Sequence, residues 1–180
     1  MRLFVALWPP PAALDALEAL PRPEHPSLRW TTRPQWHVTL RFLGDVDPDA
    51  VPRLVDALDA HLRSQPAPEV ELGPAVTWLG RPRRSPLVVP LVGADEAAAA
   101  VAAATAGVGE DDDRPWRGHV TLARVRRGAI GPRAAAGHPV HARWRADRVA
   151  LVRSHLDGDG ARYETVAEVA LRGATPPTAP

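Results

Sequence analysis

Hydrophobic and polar positions fall along the chain in strand-length and helix-length pieces. Residues 2–8 are nearly all apolar and predict a buried strand; Pro9, Pro10 and Pro11 then lead into a helix with Leu14, Leu17 and Leu20 inward and Asp15 and Glu18 outward. Pro21, Pro23 and Pro26 predict a loop running to Leu28-Arg29-Trp30. From His37 to Leu43 the chain reads as a strand stopped by Gly44. A period of two puts His37, Thr39 and Arg41 on one face and Val38, Leu40 and Phe42 on the other. Asp47-Pro48 opens a second helix through about His61, with Val51, Leu54, Val55, Leu58 and Leu62 as its apolar stripe. Val70 to Leu79 and Leu87 to Val92 predict a hairpin with a long connection, and Ala94 to Ala106 a helix with Asp95 and Glu96 in its first turn and Gly107 at its end. His119 to Val125 is the next strand, and Gly131 to Ala136 a short helical segment. Val140 to Ser154 and Tyr163 to Leu171 predict two long strands around a turn at 157–160. Residues 173–180 read as a disordered tail after a single domain spanning 1–172.

One pattern occurs twice. His37-Val38-Thr39-Leu40 returns as His119-Val120-Thr121-Leu122, with Arg33-Pro34 before the first copy and Arg114-Pro115 before the second. The two histidines are 82 positions apart in a chain of 180 residues, near the half-length that an internal duplication requires. The order of predicted elements, with one motif strand in each half, fits an α+β fold of two similar lobes.

Composition narrows the chemistry. The chain has no Cys, so it offers no thiol nucleophile, disulfide or zinc-thiolate site. All 22 of its basic residues are Arg. Without Lys there is no lysyl-adenylate, no Schiff base and no phosphate loop of the Gly-Lys-Ser/Thr type. The formal charge of +1 supplies no strong field for long nucleic acid and suits a short or terminal phosphate better. No apolar run approaches the roughly 20 residues that span a bilayer, which predicts a soluble, cytoplasmic protein. The acidic run at 110–113 lacks a spaced partner and reads as solvated loop rather than a metal site.

Proton transfer by His remains. Two imidazoles on matched strands suit chemistry at a phosphate in which one takes a proton and the other gives one. The hydroxyls of Thr39 and Thr121 can donate to the non-bridging oxygens as charge gathers there. Trp36, Trp78 and Trp116 could stack a base, but core packing is the simpler reading of each. His25, His138, His141 and His155 read as ordinary loop or strand residues.

The opening MRLFVAL, the stretches HVTLRFLGDV and RPWRGHVTLARV, and the closing SHLDGDGARYETVAEVAL together resemble the 2H phosphoesterases. The branch they are most similar to is the bacterial and archaeal RNA 2′,3′-cyclic phosphodiesterases, also labelled 2′-5′ RNA ligases. The resemblance implies a bilobal α+β fold with a pseudo-twofold axis through a central cleft, and no metal or other cofactor. It implies His37 as proton donor to the departing ribose oxygen and His119 as the acceptor that activates water. The substrate would be RNA with a 2′,3′-cyclic phosphate end, or a small nucleotide, bound by a monomer and converted to the 2′-phosphate. Arg41 and Arg124 occupy the basic positions after the motifs and become phosphate-binding candidates. Arg41 shares the face of its His by simple alternation. Arg124 falls on the opposite parity from His119, so it reaches the cleft only past a bulge or strand end. The alternatives are a non-enzymatic RNA-end-binding module, ATP-independent 2′-5′ ligation as the main activity, and a metal-dependent phosphohydrolase using His and the Asp residues at 111–113.

Overall fold

The structure, a computed structural model, describes residues 1–81, 83–109, 115–157 and 160–174. The elements run β1 (Arg2–Leu7), α1 (Pro11–Glu18), β2 (Leu28–Trp30), β3 (Val38–Asp45), α2 (Val51–Leu62), β4 (Glu69–Leu72) and β5 (Thr77–Trp78). They continue with β6 (Leu87–Val92), α3 (Asp95–Ala104), β7 (His119–Val125), β8 (Ala142–Arg145), β9 (Arg148–Asp157) and β10 (Gly160–Ala170). The strands pair antiparallel in the order β10-β9-β1-β3-β7-β6-β4-β8, with β2 added beside β7 and β5 beside β6. The fold is α+β. The two anticipated halves share one continuous sheet path and meet where β3 pairs β7.

An antiparallel sheet can bury one face and leave the other toward water, and this one buries its main core on one face while the other is apolar only in part. Leu17 of α1, Leu54, Leu58 and Leu62 of α2, and Ala98 and Val101 of α3 join Leu3, Val5, Leu7, Val38, Val89 and Val120 in one buried cluster. The opposite face holds a smaller cluster of Phe4, Ala6, Ala150 and Val152, against which Trp8 and Tyr163 pack. The alternation along β1 is therefore real but doubly apolar: odd positions serve the main core and even ones the second face.

Several predicted boundaries move, each for a local reason. His37 lies just before β3 rather than inside it. Gly44 does not stop the strand: it adopts φ +67° opposite Leu3, and the register slips there so that Leu43 turns into the core and the strand continues to Asp45. The first arm of the expected hairpin breaks at Gly73-Pro74, where proline has no N–H for the ladder, giving β4 and β5 as separate strands. The single strand expected over 140–154 splits into β8 and β9. Ala146 is buried with its N–H on Pro68 O at 2.9 Å, and the chain passes there from the β4 edge to β1. The short helical segment at 131–136 is one 3-10 turn, Arg133–Ala135. The acidic run at 110–113, Arg114, the middle of the turn at 157–160 and residues 175–180 lie outside the described residues.

Candidate active site

The motif strands lie side by side at the middle of the sheet. Their one paired position is Val38 with Val120, the same residue of each motif, and both valines are fully buried in the main core. Alternation then sends His37 and Thr39, and His119 and Thr121, to the open face, and antiparallel register sets each histidine across from the other motif's threonine. The tetrapeptide thus delivers what its spacing promised, one greasy face and one chemical face.

Each imidazole is oriented by the same device. His37 Nδ1 is 2.8 Å from Gln35 O, and His119 Nδ1 is 2.7 Å from Arg117 O. A carbonyl only accepts, so Nδ1 carries the hydrogen in both rings and Nε2 is left with its lone pair in the neutral form. Among the described residues no hydrogen bond engages the hydroxyl of Thr39 or Thr121, which are half-buried.

The surroundings of the two rings differ. His37 stands in an aromatic cage, with ring centroids of Phe4 at 4.8 Å, Tyr163 at 4.9 Å and Trp8 at 5.8 Å. Burial pushes its pKa down to about 4 against the upward pull of the Gln35 carbonyl, and the charges of Arg124 and His119 push the same way. His119 is lowered too, first by burial and then by Arg124, with the Arg117 carbonyl opposing. Tyr163 is raised by burial and drawn back by Arg124. Beside His119 a groove of about 390 Å³ runs past Pro90, Trp116 and Trp78 to Gly80.

The two candidate arginines part company. In β3 the register with β1 slips between Thr39 and Arg41, so that Leu40 is the extra residue of a bulge. Arg41 therefore pairs with the core-facing Val5 and donates from Nη1 to Ala102 O of α3 at 2.9 Å. The expectation that it shares the His37 face is overturned by that bulge. Phe42, expected on the core face, is 62 % exposed on the open face, with its ring 6.0 Å from Phe4. In β7 the register with β6 slips between Thr121 and Ala123, making Leu122 the extra residue. The reversal of parity turns Ala123 into the core and Arg124 onto the open face, where its charge is felt by both histidines and by Tyr163.

Both bulges are held from across the junction. Thr31 Oγ1 lies 2.8 Å from the carbonyls of Thr121 and Leu122, its N–H donates to Leu122 O at 2.8 Å, and Trp36 Nε1 donates to its hydroxyl at 3.0 Å. In return Trp116 Nε1 donates to Thr39 O at 3.0 Å. Trp36 is a core residue, 1 % exposed, whereas Trp78 and Trp116 are half-buried on the groove. The other five histidines bond elsewhere: His25 to Ser27, His61 to Ala57 O, His138 to Ala134 O and His155 to Glu164, with His141 3.6 Å from Glu71. No group of three or more metal-ligating side chains occurs among the described residues.

Sequence reasoning missed Phe4, Trp8 and Tyr163. Tyr163 is the chain's single tyrosine, and its place on the open face follows from pairing with Ser154, two residues on from Val152 and so on the same face, a signal available only once β9 and β10 are in register.

A family model described as LigT like phosphoesterase matches residues 7–88, which contain the first motif. The structure is similar to TT0787 of Thermus thermophilus, with a TM-score of 0.80 and 27 % identity over 97 % of this chain and 100 % of that one. It is similar in fold to E. coli LigT solved with 3′-AMP, with a TM-score of 0.73 and 24 % identity over 94 % of this chain and 97 % of that one. A further solved phosphoesterase gives a TM-score of 0.74 at 24 % identity, over 95 % of this chain and 98 % of that one. No curated protein matches the sequence.

Proposed function

We propose that the chain is a LigT-like phosphoesterase of the 2H superfamily and that it hydrolyses the 2′,3′-cyclic phosphate end of RNA to a 2′-phosphate by two-histidine acid–base catalysis. The observation that carries this reading is the pairing of Val38 with Val120, which brings two imidazoles of identical tautomer to one face with a threonine beside each. The same pairing supports two halves related by a pseudo-twofold axis passing between those valines. That E. coli LigT has been solved with 3′-AMP, NADP+ and ATP supports a nucleotide as ligand.

In this mechanism neutral His119 takes a proton at Nε2 from a water that attacks phosphorus in line with the ribose 3′-oxygen. The P–O3′ bond breaks, and protonated His37 gives its Nε2 proton to that oxygen. The hydroxyls of Thr39 and Thr121 and the guanidinium of Arg124 meet the charge on the non-bridging oxygens. Proton exchange with solvent then resets the pair. With a pKa of about 4 in the free protein, His37 is neutral at pH 7. An arriving phosphate anion offsets Arg124 and raises His37, so the acid is charged by its own substrate.

The test is purified protein on an RNA ending in 2′,3′-cyclic phosphate, with the 2′- and 3′-phosphate products resolved. Release of 2′-phosphate that survives EDTA is the expected outcome. Exclusive 3′-phosphate would overturn the assignment of the broken bond. Loss of turnover with chelator, restored by one added ion, would favour the metal-dependent alternative.

A further inference from the structure

Positive charge gathers at the end of β7 away from the histidines. Segments 79–86 and 124–137 contain seven of the chain's 22 arginines and none of its 21 acidic residues. Paired strands bring these segments together, since Leu87 of β6 lies beside Ala123 of β7. The loops are then locked to each other: Arg83 Nε donates to Gly131 O and Gly131 N to Arg83 O, both at 2.7 Å. Arg81, Arg84, Arg124, Arg126, Arg127 and Arg133 are exposed, and none meets a carboxylate among the described residues. Some arginines elsewhere meet carboxylates, Arg33 with Asp15 and Glu18 at 2.7 Å and Arg143 with Glu71 at 3.3 Å, but no other stretch gathers so many with no acidic residue among them. The cluster is therefore a matter of placement, beyond the chain's general preference for arginine.

The aromatic groove beside His119 leads to the same place. Its lining includes His119, Trp116 and Trp78 and reaches Leu79 and Gly80, next to Arg81, with Asp95 contributing a carboxylate. From His119 to Arg126 the strand spans about 23 Å at roughly 3.3 Å per residue. Half-buried indoles lining a groove, followed by guanidiniums without carboxylate partners, are what a single-stranded polynucleotide uses: bases stack on rings of any sequence, and phosphates are neutralised by cations along the path. We propose that this groove and the two arginine loops form a track for a single-stranded RNA chain, making the preferred substrate an oligoribonucleotide end rather than a mononucleotide. The proposal rests on the phosphoesterase reading above.

The test compares wild type with the variant R81E/R84E/R126E/R127E, none of whose positions belongs to the histidine site. Fluorescence anisotropy with a labelled ten-residue RNA ending in 2′-phosphate, and with the corresponding mononucleotide, reads binding without turnover. Wild type should hold the RNA at least about 10-fold more tightly than the mononucleotide. The variant should lose that advantage and flatten the log Kd against log salt slope by about 3, from roughly 0.7 per phosphate contact. In turnover, KM for a cyclic-phosphate RNA should rise at least 10-fold while the mononucleotide changes less than about 2-fold. Equal losses on both substrates, no advantage of RNA over mononucleotide in wild type, or equal competition by polyglutamate would overturn the track. If neither substrate turns over in wild type, the catalytic reading falls while anisotropy still decides the track. Circular dichroism confirms folding, and R81E/R84E alone, expected to give a partial loss, serves if the fourfold variant unfolds.

Discussion

The first and second motifs present the same four residues, the same Nδ1-to-carbonyl bond two residues back and a bulge at the same leucine, Leu40 or Leu122. Beyond the bulge the two strands diverge. The first motif puts arginine at the position that turns inward and phenylalanine at the one that turns out. The second puts Ala123 inward and Arg124 outward. One half consequently gives its histidine an aromatic, charge-poor wall, and the other supplies the cation near both histidines. On the proposed mechanism, one tetrapeptide presented twice would serve as acid and as base through a difference only in what stands around it.

The largest effect that could break this comparison lies in the histidines. His37→Ala and His119→Ala should each lower turnover of a cyclic-phosphate RNA by roughly 10²-fold or more. A substrate whose leaving group needs no proton should rescue His37→Ala and leave His119→Ala impaired. Equal rescue of both, or of His119→Ala alone, would reverse or erase the assigned roles while keeping the pair.

The arginines give the next effect. Arg124→Ala removes a charge that reaches both rings and should lower kcat/KM by roughly 10-fold or more, through loss of oxyanion stabilisation. Arg41→Ala should change kcat/KM by less than about 2-fold and cost only about 1 kcal/mol of stability for the bond to Ala102 O. An Arg41 effect as large as that of Arg124 would show that the bulge at Leu40 opens in solution.

These two arginines also mark where the sequence stops being legible. Period-two alternation placed His37, Val38 and Thr39 correctly because they precede the bulge, and Leu40, the bulge's extra residue, still faces the core. It failed at Arg41 and Phe42 because a single unpaired residue inverts every side chain beyond it. Nothing in Thr-Leu-Arg announces that slip. It is produced by the partner strand and held by bonds from distant residues such as Trp116 and Thr31. Helices were easier to place, since the stripe of Leu54, Leu58 and Leu62 is local. The aromatic cage was hidden for the opposite reason: Phe4 and Tyr163 are brought together through β9, at the far end of the chain.

The pH dependence of activity sharpens the contrast further. In the proposed mechanism the productive form holds one proton on the pair, so the rate should pass through a maximum whose limbs belong to both rings. For two unperturbed imidazoles, each titrating at about 6.5, that maximum would lie near neutrality. Because both histidines are lowered in the free protein, the kcat/KM profile should peak on the acid side of pH 6.5. The kcat profile, which reports the phosphate-bound state, should peak higher. Coincident maxima would mean that bound phosphate does not raise His37.

The smallest effect is on folding. An unfolded histidine titrates near 6.5, while His37 in the folded protein is held to about 4. Between those values the unfolded chain binds the proton and the folded one does not, so stability is present above pH 6.5 and falls as pH drops toward 4. His37 is packed among Phe4, Trp8 and Tyr163, where screening by water is weak. The loss between pH 7.5 and pH 5 should be about 1–2 kcal/mol. His119 adds in the same direction. Urea unfolding at the two pH values measures it, and His37→Gln, which keeps a polar side chain but cannot titrate, should flatten the dependence. His119→Gln should flatten it less, because the aromatic wall belongs to His37. Equal flattening by both would show that the two halves bury their histidines alike, and that the asymmetry of roles comes from Arg124 alone.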